Sequence, residues 1–110
     1  MAERYNTDEL VKALADSTRR NLLDLLRTRD GRTLNDLCTH LDMTRQGVTQ
    51  HLALLEAAAL IATVRSGRKK LHFLNPVPLQ EIYERWIAKS ATQRHAGLSE
   101  ITHRLEQGNG

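Results

Sequence analysis

"MTRQGVTQHLALL", residues 43–55, combines a helical repeat with a row of hydrogen-bonding side chains. Val48, Leu52 and Leu55 recur at intervals of four and three, which puts them on one stripe of an α-helix. Arg45, Gln46, Thr49 and Gln50 fall on the opposite face, and Thr44 and His51 add further donors or acceptors. A helix face that meets only water is usually filled with Glu and Lys, which favour both helix and solubility. This face instead carries groups suited to reading the edges and shape of a partner.

Thr44 is the expected N-cap of this helix, and only Asp42-Met43 separate it from the helix before. That preceding helix begins at Thr33, where Thr33-x-x-Asp36 resembles a capping box with Asp in place of Glu, and its apolar face is Leu34, Leu37, Cys38 and Leu41. Two helices joined so tightly, the second rich in polar groups, predict a helix-turn-helix over about residues 33–57. Upstream, Asp16 or Ser17 caps a helix through "TRRNLLDLLRT" that Asp30-Gly31 ends. A shorter helix over Asp8–Ala15, with Thr7 as its cap, carries Leu10, Val11 and Leu14 on one side.

Downstream of Leu60 the period changes. Ile61 and Val64, the turn residues Ser66-Gly67, and then Leu71 and Phe73 alternating with Lys70, His72 and Leu74 predict a β-hairpin over about 61–74. "NPVP" interrupts the chain, since each proline disfavours helix in the residue before it. A long terminal helix over about 79–105 follows, with Leu79, Ile82, Tyr83, Trp86, Ile87, Leu98, Ile101 and Leu105 on its apolar side.

The 110 residues suffice for one domain, and 40% apolar with 26% charged residues is the balance of a soluble globular chain. No run of twenty apolar residues occurs, and "MAERYNTDEL" lacks the apolar centre of a signal peptide, so a cytoplasmic protein without membrane contact is expected. The single cysteine, Cys38, excludes an internal disulfide and a Cys-pair zinc site, and its helical neighbours favour burial as a small hydrophobe. The net charge is only +3, yet residues 43–75 hold five basic residues against the lone acid Glu56, while the rest of the chain holds eleven against twelve. The excess positive charge therefore lies in the polar helix and the hairpin, as a polyanionic partner requires.

Helices around one core followed by a two-stranded hairpin form a winged helix-turn-helix, a mainly α fold. In that geometry the second helix of the turn motif enters the major groove. Arg pairs bidentately with guanine, Gln with adenine, and Thr reaches either, so Thr44, Arg45, Gln46, Thr49, Gln50 and His51 are the candidate contacts of the recognition helix. Arg65, Ser66, Arg68, Lys69 and Lys70 at the hairpin tip are the candidate wing contacts to phosphate. An enzyme is not expected. His40, His51 and Cys38 supply no paired nucleophile and base, no glycine-rich phosphate loop occurs, and no cofactor site is legible. The rival reading is a winged-helix docking module for another protein, which would require an apolar or aromatic face where this helix is polar and basic. Gly47, inside the helix, either allows a close backbone approach to DNA or to the preceding helix, or is simply tolerated.

"VKALADSTRRNLLDLL", "TLNDLCTHLDMTRQGVTQHLALLEAAALI" and "RSGRKKLHFLNPVPLQEI" together resemble, in order and spacing, the ArsR/SmtB-type bacterial transcriptional repressors over about Leu10 to Trp86. The resemblance implies a winged-helix homodimer on a palindromic double-stranded operator, with the first and last helices as the dimer interface. Leu10, Leu14, Ile82, Trp86, Leu98, Ile101 and Leu105 are the apolar candidates there. Metal-sensing members carry Cys-x-Cys in the third helix, where this chain has Thr33 and Asn35. A second metal site of the family is matched in one half by His103-x-x-Glu106, but its other half would fall near Ser90 and Thr92, which are weak zinc ligands. No metal is therefore expected, and His95 and His103 are read as interface or solvent groups. The chain resembles a branch without metal-sensing cysteines, whose inducer the residues do not identify.

Overall fold

The computed structural model describes residues 4–88 and 100–107. The elements are α1 (Thr7–Leu14), α2 (Ser17–Thr28), α3 (Leu34–Thr39), α4 (Arg45–Ala57), β1 (Ile61–Ser66), β2 (Lys69–Leu74) and α5 (Val77–Trp86). Residues 100–107 are also helical. Contacts group the chain into two compact units, Met1–Pro78 and Leu79–Gly110.

The first unit is the helix-turn-helix with its hairpin. Leu22, Leu26, Leu37, Val48, Leu55 and Leu60 are completely buried, and Leu10, Ala13 and Ile61 nearly so. The recognition stripe is thus the centre of the core. On α3 only Leu37 is buried; Leu34, Cys38 and Leu41 are half-buried, so the face predicted for that helix is narrower than its spacing implied.

Three of the helix starts are fixed by the predicted caps. Asp16 accepts from the backbone N–H of Thr18 at 2.8 Å and of Arg19 at 3.1 Å, Thr33 from Asp36 at 3.1 Å, and Thr44 from Gly47 at 3.0 Å. The first helix differs. Its cap is Asn6, whose side chain accepts from Glu9 at 3.1 Å, and Thr7 is the first helical residue. The helix predicted over about 79–105 starts at Val77 instead of Leu79, with Asn75 Oδ1 accepting from the Val77 N–H at 3.3 Å, and α5 ends at Trp86 rather than running on to 105. Pro78 then lies in the first turn, where a missing N–H removes no helical bond.

The end of α4 is closed by a motif that its residues do not announce. The N–H of Leu60 bonds to the carbonyl of Leu55 and that of Ala59 to Glu56, both at 2.9 Å, which is a Schellman closure. Its left-handed position, usually glycine, is Ala59 with φ of 59°. The closure turns the chain so that Leu60 and Ile61 enter the core and β1 begins.

β1 and β2 pair antiparallel from Ile61↔Leu74 to Ser66↔Lys69, leaving Gly67-Arg68 as a two-residue loop. Gly67 has φ of 63° and Arg68 does not have a positive φ, the pattern of a type II′ turn. At the other end of the hairpin Arg32 adds a bridge to β2, with His72 N–H donating to Arg32 O at 2.8 Å and Gly31 N–H to His72 O at 2.9 Å. The buried residue of β2 is consequently His72, while Leu71 and Phe73 are half-buried.

Arg32 is buried as well, and its guanidinium is paired through Nε and Nη1. Nε donates to Leu25 O at 3.0 Å, and Nη1 reaches Asp36 Oδ2 at 2.8 Å and His40 Nε2 at 3.3 Å. Arg29 adds a second bond to the same Asp36 oxygen at 2.9 Å. The Asp36 carboxylate therefore serves these two guanidiniums rather than returning to the Thr33 N–H as a capping box would.

The hydrogen bond from Arg32, aided by the charge of Arg29, holds Asp36 below the usual carboxylate range against the opposing effect of desolvation. The backbone N–H of Arg19 does the same for Asp16. A carboxylate depressed in the folded state contributes stability that is complete above the unfolded value, about 3.9 for Asp, and is lost as pH falls through the folded value. Thermal melting is thus expected to be level from neutral pH to about pH 5 and to fall steeply below about pH 4. The acid branch should be shallower for Asp36→Asn, and an unchanged branch in that variant would remove Asp36 from the account. Ala59→Gly is expected to stabilise the fold by about 0.5–1 kcal/mol in urea unfolding, because the left-handed position then carries no Cβ. A destabilised variant would show that chain entropy outweighs the strain.

Candidate nucleic-acid interface

With Val48, Leu52 and Leu55 turned inward, α4 presents Thr44, Arg45, Gln46, Thr49 and Gln50 to solvent, all exposed. Gln46 and Gln50 are one helical turn apart and make no side-chain hydrogen bond among the described residues. Their amides, each with donors and an acceptor, are therefore open to a partner. Arg45 donates to the side-chain oxygen of Asn35 on α3, and Thr49 Oγ1 donates back to the Arg45 carbonyl at 2.9 Å. Asn35 is a neighbour that sequence reading missed as part of this surface.

His51 is placed differently from the other five candidates. It is half-buried, and its Nδ1 lies 3.1 Å from Arg19 Nη1 on α2. Its ring belongs to one flank of α4 rather than to the outward face. Gly47 is explained locally, since an added Cβ would come within 3.2 Å of Met43 Cε and of Thr44 Oγ1. The glycine leaves room for the N-cap of its own helix.

On the opposite flank a groove of about 650 Å³ runs between the start of α3, α4 and the hairpin. Asn35, Arg45 and Thr49 line one side and Arg68, Lys69 and Lys70 the other. Glu56 also lines it and accepts from Thr63 Oγ1 at 3.4 Å. Arg65, Ser66, Arg68, Lys69 and Lys70 are all exposed, and none of the four cations makes an ion pair among the described residues. Arg65 stands directly opposite Lys70 across the hairpin. Like charges in that position oppose pairing, so the hairpin carries positive charge that the fold itself leaves uncompensated. A groove walled by guanidinium and ammonium groups, beside free amides on a helix, can hold a polyanion's backbone and hydrogen-bond to its bases.

The apolar candidates for self-association are distributed unevenly. Leu10 is 1% exposed, because it packs within its own chain, and so offers no surface to a second copy; Leu14 is half-buried, and the exposed apolar residue of α1 is Val11. In the second unit Ile82 is half-buried, whereas Trp86, Ile101 and Leu105 are exposed by 57%, 52% and 64%. Leu98 lies outside the described residues, as do Ser90, Thr92 and His95. His103 and Glu106 are exposed, Cys38 is half-buried, and among the described residues no three His, Cys, Asp or Glu side chains gather where a metal ion could be held. Among the described residues, no helix is long and apolar enough to cross a membrane.

Known proteins share this arrangement. A family described as "Helix-turn-helix domain" matches residues 14–64. An HTH-type transcriptional regulator of Bacillus subtilis, YuzN, is 39% identical over 88 residues, covering 74% of this chain and 96% of the relative. The transcriptional repressor SdpR of the same organism is 34% identical over 74 residues, 67% of this chain and 81% of the relative. Among solved structures, an ArsR-like transcriptional regulator from Rhodococcus sp. RHA1 superposes with a TM-score of 0.69 at 26% identity, covering 91% of this chain and 90% of the other.

Proposed function

Because the chain belongs to the ArsR family of helix-turn-helix transcriptional regulators, we propose that it represses transcription as a homodimer bound to a palindromic double-stranded operator. The observation that carries this reading is the pairing of the open polar face of α4 with an uncompensated cationic hairpin across one groove. Gln46, Gln50 and Arg45, with Thr44 and Thr49, are assigned to the major groove, and Arg65, Ser66, Arg68, Lys69 and Lys70 to the phosphate backbone. The second unit, through Trp86, Ile101 and Leu105, supplies apolar surface for a second copy. Such a protein works in the cytoplasm, where the DNA lies, and its family is one of regulators, not of enzymes.

Binding-site selection from random duplexes, followed by titration, tests the reading. Gln50→Ala or Arg45→Ala is expected to weaken the selected operator by about 1–3 kcal/mol for each base interaction removed while sparing random DNA. Lys69→Ala with Lys70→Ala should weaken both duplexes and reduce the slope of log K against log salt by about 0.9 for each phosphate no longer neutralised. Equal losses for all variants on both duplexes would confine α4 to phosphate contacts. Failure of the wild type to bind either duplex would favour a protein-docking role.

Light scattering is expected to give twice the chain mass at micromolar concentration, with Trp86→Glu shifted to the monomer. Two recognition helices would then meet half-sites about one helical turn, roughly 34 Å, apart. A wild-type monomer would remove the homodimer and the palindrome together.

A further inference from the structure

Arg19 joins three helices through one guanidinium. Nε donates to Ala13 O at 2.8 Å and Nη2 to Lys12 O at 2.9 Å, closing the end of α1, while Nη1 reaches His51 Nδ1 on α4 at 3.1 Å. The Arg19 backbone is in turn held by the Asp16 cap at 3.1 Å. A guanidinium has donors and no acceptor, so the contact requires an unprotonated Nδ1. Neutral His51 must then carry its proton on Nε2. That nitrogen has no partner among the described residues, and since no buried side-chain nitrogen or oxygen there lacks one, Nε2 is open to solvent.

The position of His51 gives this donor a direction. At 100° per residue, Arg45 and Thr49 lie on the flank of α4 that faces the hairpin groove, and His51 lies on the other flank, beyond the buried stripe. A helix in the major groove runs between two sugar-phosphate backbones, so its outer face meets bases and its flanks meet phosphates. The hairpin, across the groove from Arg45 and Thr49, serves one backbone with charge. On the remaining flank of α4 the His51 ring offers an open donor.

We propose that Arg19 is a positioning residue that locks His51 in its Nε2–H tautomer, so that α4 offers a neutral hydrogen-bond donor to a DNA phosphate on the flank away from the hairpin. The proposal rests on the DNA-binding reading above. It adds that α1 and the recognition helix move as one piece, because the same guanidinium holds both.

Two measurements test it, one of which needs no DNA. Ring ¹⁵N shifts of His51 at a pH where it is neutral should show the Nε2–H tautomer in the wild type and a mixture in Arg19→Lys, whose ammonium lacks the fixed fork. A wild-type Nδ1–H tautomer would overturn the lock, whether or not the Lys variant folds. Against duplexes, His51→Phe should bind the selected operator and random DNA about three- to tenfold more weakly, the loss of one neutral hydrogen bond, with an unchanged salt slope because no counterion is released. Undiminished binding overturns the phosphate role, and so does a reduced slope, which would mark a cation. A wild type that binds no duplex overturns the DNA reading itself, and with it the phosphate role, without altering the tautomer result.

Discussion

One buried charge holds the helix-turn-helix and the hairpin in register. Arg32 sits where α2, α3 and the hairpin meet: its side chain bonds to the Leu25 carbonyl and to Asp36, and its backbone pairs with His72 of β2. An unpaired charge in that position would cost several kcal/mol, whereas a fully bonded one is tolerated. The bonds are directional, which apolar packing is not. Leucines can keep α2, α3 and β2 close, but the guanidinium seats Arg32 against α2 and α3 while the backbone bridge of the same residue sets the angle at which β2 meets them. The groove between α4 and the hairpin inherits its width from that angle.

Within this frame α4 is braced on both flanks and left open in between. Arg45 is tied to Asn35 on one side, and His51 to Arg19 on the other. Gln46 and Gln50, the two amides on the outward face, have no tie among the described residues. On the proposed reading, a base-contacting surface gains from this division. Ordered flanks lower the entropy lost on docking, while the open amides keep their hydrogen-bonding capacity for the partner. So polar a helix stays seated because its hold on the core comes from Val48, Leu52 and Leu55, which are buried, and from a closed C-terminus at Ala59.

Much of this could be read from the sequence, for reasons that are local. The spacing of Val48, Leu52 and Leu55 and the caps at Asp16, Thr33 and Thr44 are signals within a few residues, and each holds in the structure; the hairpin turn is placed one residue early, since Ser66 pairs with Lys69 and the loop is Gly67-Arg68. What escaped reading joins distant residues. Arg19 and His51 are 32 positions apart and His72 and Arg32 are 40 apart, and no periodicity marks such pairs. Reading β2 by hydropathy sets Leu71 and Phe73 apart from His72, but the bridge from Arg32 buries the histidine. The Schellman closure was invisible because its usual flag is glycine and the chain has alanine there. Leu10 shows a further limit: apolar periodicity identifies a face that is covered, but not whether its own chain or a second copy covers it.

The hairpin shows the same sequence serving two demands that conflict. As a fold element it would be steadier with opposite charges across the strands, yet Arg65 faces Lys70, and Arg68 and Lys69 follow the turn. The repulsion is modest because both charges stand in water, whose dielectric holds the interaction of two unit charges about 4 Å apart to about 1 kcal/mol. It is affordable here because the hairpin's stability comes from its base, where Leu60 and Ile61 enter the core and Arg32 bridges β2. The tip is thereby released from structural duty. Among the described residues its cations have no ion-pair partner, so the feature that slightly weakens the free protein is one that a polyanion would compensate.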